Sequence, residues 1–211
     1  MDWKFVIHHS ISGIIPVIIV AMFYFALFQV IVKKQNMGHI ILSSSFAVYF
    51  IGVLTLTGIC IRPSFSPVIV YIPFIDMIRG PIDTILNVLL FIPMGLFLPI
   101  LYEHYNGVRK VALIGFLISL SIEIVQMFGF GATDINDLIT NVIGTCIGYC
   151  IYKRLYKHIP KMWIEKIRIN DNRCYYEPII LWIFVLLIMI TIQPYICDTL
   201  FSAIGEMQEW K

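Results

Sequence analysis

Three carboxylates and three carboxamides lie within or beside apolar runs of this chain, at spacings that bring them together. Glu123 and Gln126 fall inside one run. Asp134 and Asp137 stand at the entrance to the next, Asn141 lies within that run, and Asn87 belongs to an earlier one. Placing a carboxylate in hydrocarbon costs roughly 2.5–3.5 kcal/mol on insertion scales, so residues kept there are candidates for function. With Arg79 close by in sequence, such a group can hold a divalent cation or an anionic or amide-rich head group. A carboxyl withdrawn from water favours its neutral form, which makes Glu123, with Asp137 beside it, the first candidate for acid–base work.

The bland readings differ from residue to residue. Asp134 reads as a helix N-cap, with Asp137 closing a capping box and both acids suiting the positive end of the helix dipole. Asn87 and Asn141 can serve simply as hydrogen-bonded bridges between helices. Glu123 is too far inside its run for a cap. A structural role would need it protonated or paired with a cation such as Arg79. No nucleophile is well framed, because Ser119 lies a turn deeper than Glu123. None of the five histidines joins the group, which disfavours a phosphatase built on paired histidines. A metal site stays undecided, since Asp134 and Asp137 alone supply too few ligands, and the pattern names no cofactor.

Helical geometry supports a single site. At 100° per residue, Ser119, Glu123 and Gln126 share one stripe, Asp137, Asn141, Gly144 and Gly148 a second, and Asp83 with Asn87 a third. At 1.5 Å rise per residue, Asn87 and Asn141 each sit about 6 Å below the aspartate that opens their helix, and Glu123 roughly 8–10 Å below the end of its own. Gly144 and Gly148 have the spacing that lets membrane helices approach closely. Pro93 and Pro99 are expected to kink the helix that carries Asn87.

The elements that must position these groups are membrane spans. The chain has 211 residues, 59% apolar and only 13% charged, with a mean hydropathy of +0.87, and its apolar runs are continuous rather than alternating. That pattern excludes a soluble globule and a transmembrane barrel. The expectation is an all-α integral membrane protein, a single domain over 1–211 forming a bundle of about six transmembrane helices. They are placed at 11–32, 40–61, 83–102, 111–128, 137–156 and 178–197, each near the ~20 residues a bilayer requires. The first is read as a span and not a cleaved signal, since no small-residue cleavage site follows it.

Orientation follows from Lys and Arg. Eleven fall in the loops after the first, third and fifth spans, seven of these in the basic loop 153–177, and four on the other side. The richer side is expected to be cytoplasmic. Both termini and the polar group then face outward, and the basic loop is expected to rest on anionic inner-leaflet lipids. The proline-rich segment 61–82, between the second and third helices, is read as an interfacial or re-entrant cover on the outer face. The tail 198–211 is read as a short amphipathic helix. The +2 charge implies no nucleic-acid partner, since the basic residues flank membrane segments. Among five scattered cysteines, Cys146 and Cys150 are read as buried thiols, and Cys60 with Cys197 as a conceivable disulfide.

Three blocks carry a family resemblance. NVLLFIPMGLFLPIL at 87–101, SLSIEIVQ at 119–126 and TDINDLITNVIGTCIGY at 133–149 together resemble the VanZ-like family of bacterial membrane proteins. The resemblance is firmest over 83–149, with the family core taken as about 40–156. It implies location in the bacterial plasma membrane and association with reduced susceptibility to glycopeptide antibiotics, teicoplanin above all. Its motif positions fall on Asn87, Phe91, Pro93 and Gly95, then Glu123 and Gln126, then Asp134, Asp137, Asn141 and Gly144. The resemblance supplies no settled reaction. The expected function is an outward-facing pocket, formed by Asn87, Glu123, Gln126, Asp134, Asp137, Asn141 and Arg79, that engages a lipid-linked or cell-wall-related ligand. The alternatives are a membrane-embedded hydrolase or transferase acting on a lipid head group, and a non-catalytic bundle or partner-binding subunit.

Overall fold

The computed structural model describes residues 36–57, 68–70, 74, 80–128, 132–169 and 175–209. The expected first span, Arg79 and Cys60 lie outside them. Six α-helices are described, α1 (Met37–Leu56), α2 (Pro81–Leu101), α3 (Val108–Gln126), α4 (Ile135–Leu155), α5 (Lys161–Ile167) and α6 (Glu177–Glu209), with a 3-10 turn at Glu103–Tyr105. Pro81 opens α2, where a missing N–H costs nothing. The helix then runs unbroken through Pro93 and Pro99.

Two of these helices, α1 and α2, are long and apolar enough to cross a bilayer. The outward faces of the bundle agree with that setting. Ile41 and Val48 of α1, Ile85 and Leu89 of α2, Leu113 and Leu117 of α3, Ile143 of α4 and Leu187 of α6 are all exposed, whereas Ser119, Glu123, Thr140, Asn141 and Thr145 are buried. Large apolar residues outside and polar ones within invert the ordering of a water-soluble fold.

α2 and α4 make the most extensive contact, with α3 packed beside both. They run parallel and very close. A Cβ at Gly144 would strike the Val88 carbonyl oxygen, one at Gly148 the Ile92 carbonyl oxygen, and one at Gly95 the Thr145 carbonyl oxygen. Small residues at four-residue spacing remove that obstacle, and the backbones meet. α1 and α6 pack together against this core. Phe50 meets Trp182 edge-on at 5.0 Å between ring centres, and Phe46 stacks on Phe97 at the same distance.

Two features differ from the expectation. The helix expected to end at 197 continues as one 33-residue α6 to Glu209, without a separate tail helix. The helix continues through Pro194, whose missing N–H removes one backbone hydrogen bond. The other difference is a small parallel sheet. β1 (Val68–Val70), from the proline-rich segment, pairs with β2 (Ala132–Asp134), just before α4, in the register Val68↔Ala132, Ile69↔Thr133 and Val70↔Asp134. Three-residue strands are too short to give a periodic signal.

Candidate functional site

The turn between α3 and α4 builds the site. Asp134 is the N-cap of α4, and its Oδ1 accepts hydrogen bonds from the Asn136 backbone N–H and side-chain amide, both at 2.8 Å. Asn136 Oδ1 in turn accepts from the Phe74 N–H at 2.7 Å, tying the proline-rich segment to the start of α4. Glu123, 4% exposed, reaches across from α3. Its Oε2 accepts from the Asp134 N–H at 2.8 Å, while the Thr133 hydroxyl donates to the Glu123 carbonyl at 3.0 Å. The carboxylate thus meets the backbone of β2 itself.

Deeper groups join the three helices pairwise. The Asn87 amide of α2 donates to Asp137 Oδ1 of α4 at 2.6 Å, and the Asn141 amide of α4 donates to Ser119 Oγ of α3 at 2.9 Å. The capping box expected of Asp137 is not the observed arrangement, because the Asp134 N–H goes to Glu123 and Asp137 accepts from Asn87 across on α2. Asp134 alone caps the helix. Gln126 turns away from the group, donating to the Thr57 carbonyl at the end of α1 at 3.0 Å. The matched pattern of Asp83 with Asn87 and Asp137 with Asn141 therefore does not produce matched contacts.

Two acceptors within this region stay unmet. Asn141 Oδ1 and Gln126 Oε1 are buried without a hydrogen-bond partner, whereas the amide groups of Asn87, Gln126, Asn136 and Asn141 all donate to protein oxygens. The site therefore has acceptors to offer. Among the described residues, no group of three His, Cys, Asp or Glu side chains is placed to hold a metal ion.

A sequence profile described as VanZ/LLP1 matches residues 13–157. The chain belongs to the VanZ/LLP1 family. The match takes in α1 to α4 and every member of the Glu123 group, and it ends before α5 and α6. Protein VanZ of Enterococcus faecium is 34% identical over 82 residues, which cover 38% of this chain and 50% of that protein. The chain thus spans about half the length of the curated relative it matches. No solved structure matches.

The opposite end of this VanZ/LLP1 bundle holds a second polar cluster that sequence reasoning missed. His39 at the start of α1 and Glu177 at the start of α6 are each 1% exposed. His39 Nε2 lies 3.2 Å from Glu177 Oε1, and His39 Nδ1 lies 2.8 Å from the Ile167 carbonyl. Both ring nitrogens face acceptors, so the pair needs either two ring protons or a protonated carboxyl. Nearby, Arg168 pairs with Glu103 and donates to the Pro99 carbonyl at 2.8 Å and to the Tyr152 hydroxyl. The Tyr105 hydroxyl donates to the Tyr175 carbonyl at 2.6 Å, and burial pushes it up to about 12. His39 and Glu177 are 138 positions apart, and no local pattern joins them.

Proposed function

We infer that this chain is a multi-pass protein of the bacterial plasma membrane, with both termini extracytoplasmic, that lowers susceptibility to glycopeptide antibiotics such as teicoplanin. It does so by engaging a lipid-linked or cell-wall-related ligand at the Glu123 group. Family membership supports the class of function. The observation that carries the site is the buried Glu123 carboxylate together with the unmet acceptor of Asn141, whose amide meets Ser119 one turn deeper on α3. An acceptor buried without a partner costs about 1–3 kcal/mol, and a ligand bringing N–H or O–H groups removes that cost. Sugar hydroxyls, peptide amides and ammonium groups all have that chemistry, and the lipid-linked and wall precursors of the outer leaflet carry them.

The test is the teicoplanin inhibitory concentration of a susceptible host expressing the chain. Expression should raise it, and Glu123→Gln or Asp137→Asn should abolish the rise at unchanged membrane abundance. Full resistance from both variants would remove the site from the mechanism. A second reading is favoured by the bonds from Asn87 to Asp137 and from Asn141 to Ser119, which hold α2, α3 and α4 in register. On that reading the polar residues are structural, and Glu123→Gln lowers thermal stability in detergent while the teicoplanin response persists in proportion to folded protein.

A further inference from the structure

The ends of α2 and α4 and the helix α5 enclose an apolar recess away from the Glu123 group. Its volume is about 60 Å³, and its walls include Ile100, Tyr152, Tyr156, Ile159, Trp163 and Arg168. A space of that size takes a few methylene groups. Arg168 has a side chain 8% exposed, and its guanidinium carbon lies 5.2 Å from the centre of the Tyr156 ring. Its Nε–H is buried with no hydrogen-bond partner, which leaves a donor for an incoming oxygen.

The rim has the complementary character. Trp163 is 61% and Met162 60% exposed, giving α5 an apolar face, and Lys153, Lys157 and Lys161 are all exposed around the recess in sequence. A short helix with an aromatic and thioether face among lysines is suited to the boundary between hydrocarbon and head groups. We propose that this recess is a binding site for one anionic phospholipid, with an acyl segment lying between α5 and the ends of α2 and α4 and the phosphate held by the flanking lysines. The guanidinium, its charge already paired with Glu103, packs behind the chain, and its spare N–H meets a lipid oxygen. The site goes beyond a general attraction of the basic loop to the membrane, because one lipid is held by shape as well as by charge.

Full-length protein, purified in detergent and loaded with phosphatidylglycerol or phosphatidylcholine, tests this by native mass spectrometry. The wild type should retain phosphatidylglycerol in preference. Lys157→Gln and Lys161→Gln should each lower that retention about fivefold, since one lysine near an anionic lipid contributes that factor. Ile159→Trp fills the recess without changing charge and should also lower it. Trp163→Ala, which removes an exposed wall and leaves the core intact, should do the same if Ile159→Trp proves unstable. Equal retention of the two lipids by the wild type overturns the site. So does undiminished retention by both recess variants, which would leave only electrostatic attraction to the surface.

Discussion

Glu123 makes one hydrogen bond that can be tested atom by atom. Glu123→Gln keeps an oxygen for the Asp134 N–H, whereas Glu123→Ala leaves that donor without an acceptor in a buried position. An unmet buried donor costs about 1–3 kcal/mol. The alanine variant should therefore melt several degrees below the glutamine variant in a detergent thermal-shift assay. Equal melting temperatures would mean that water or another oxygen replaces the carboxylate. At the other end of the bundle, His39 and Glu177 should behave as a coupled pair. Removing either alone strands a buried partner and should cost about 3–5 kcal/mol. Removing both as His39→Leu with Glu177→Gln should cost at least about 1 kcal/mol less than the sum, read from denaturant or thermal unfolding. Additive losses would show that each residue acts through other contacts.

Helix α4 is held by what its glycines lack. Gly148→Leu should push its side chain into the Ile92 carbonyl and separate α4 from α2, destabilising by about 1–3 kcal/mol or more. Gly52→Ala on α1 meets nothing within 4 Å and should leave the melting temperature unchanged or slightly raised, Ala being the better helix former by about 1 kcal/mol. The close approach was legible in the sequence as the Gly144 and Gly148 spacing, and so were the helices, because long apolar runs mark them. The described starts and ends of α2, α3 and α4 fall within a few residues of the expected spans. Rise and rotation put Asn87, Glu123 and Asn141 on facing stripes, but their partners are staggered: Glu123 meets Asp134, Asn87 meets Asp137, and Asn141 meets Ser119, a turn deeper than Glu123. What could not be read were the pairings. Nothing local says that Asn87 meets Asp137 rather than a second asparagine, that Gln126 turns to Thr57, or that His39 meets Glu177. Those depend on how three-dimensional packing rotates each helix. The strands β1 and β2 were invisible for another reason: three residues cannot display alternation, and their partner lies some sixty positions away.

For the whole molecule, the two polar clusters define opposite ends. One joins the end of α1, the start of α2, the end of α3 and the start of α4; the other joins the start of α1, the end of α2, the end of α4 and the start of α6. With all five cysteines replaced, Phe128→Cys at the first end should react with an impermeant thiol reagent added to intact cells. Lys161→Cys at the second should react only after lysis. The reverse labelling would turn the Glu123 group toward the cytoplasm and detach it from the cell wall.

The bond between Glu123 and the amide of Asp134 also bears on how such a chain enters a membrane. Acceptor and donor are eleven positions apart, and α3 is synthesised first. When α3 leaves the insertion machinery its carboxylate has no amide to meet, and β1, made long before, has no strand to pair with. Both deficits end together when residues 132–134 emerge. That short strand closes the β1–β2 ladder and delivers its N–H to Glu123. On the proposed multi-pass topology the arrival of the start of α4 therefore favours the settling of α3 in hydrocarbon, and the two helices are expected to insert as a coupled pair.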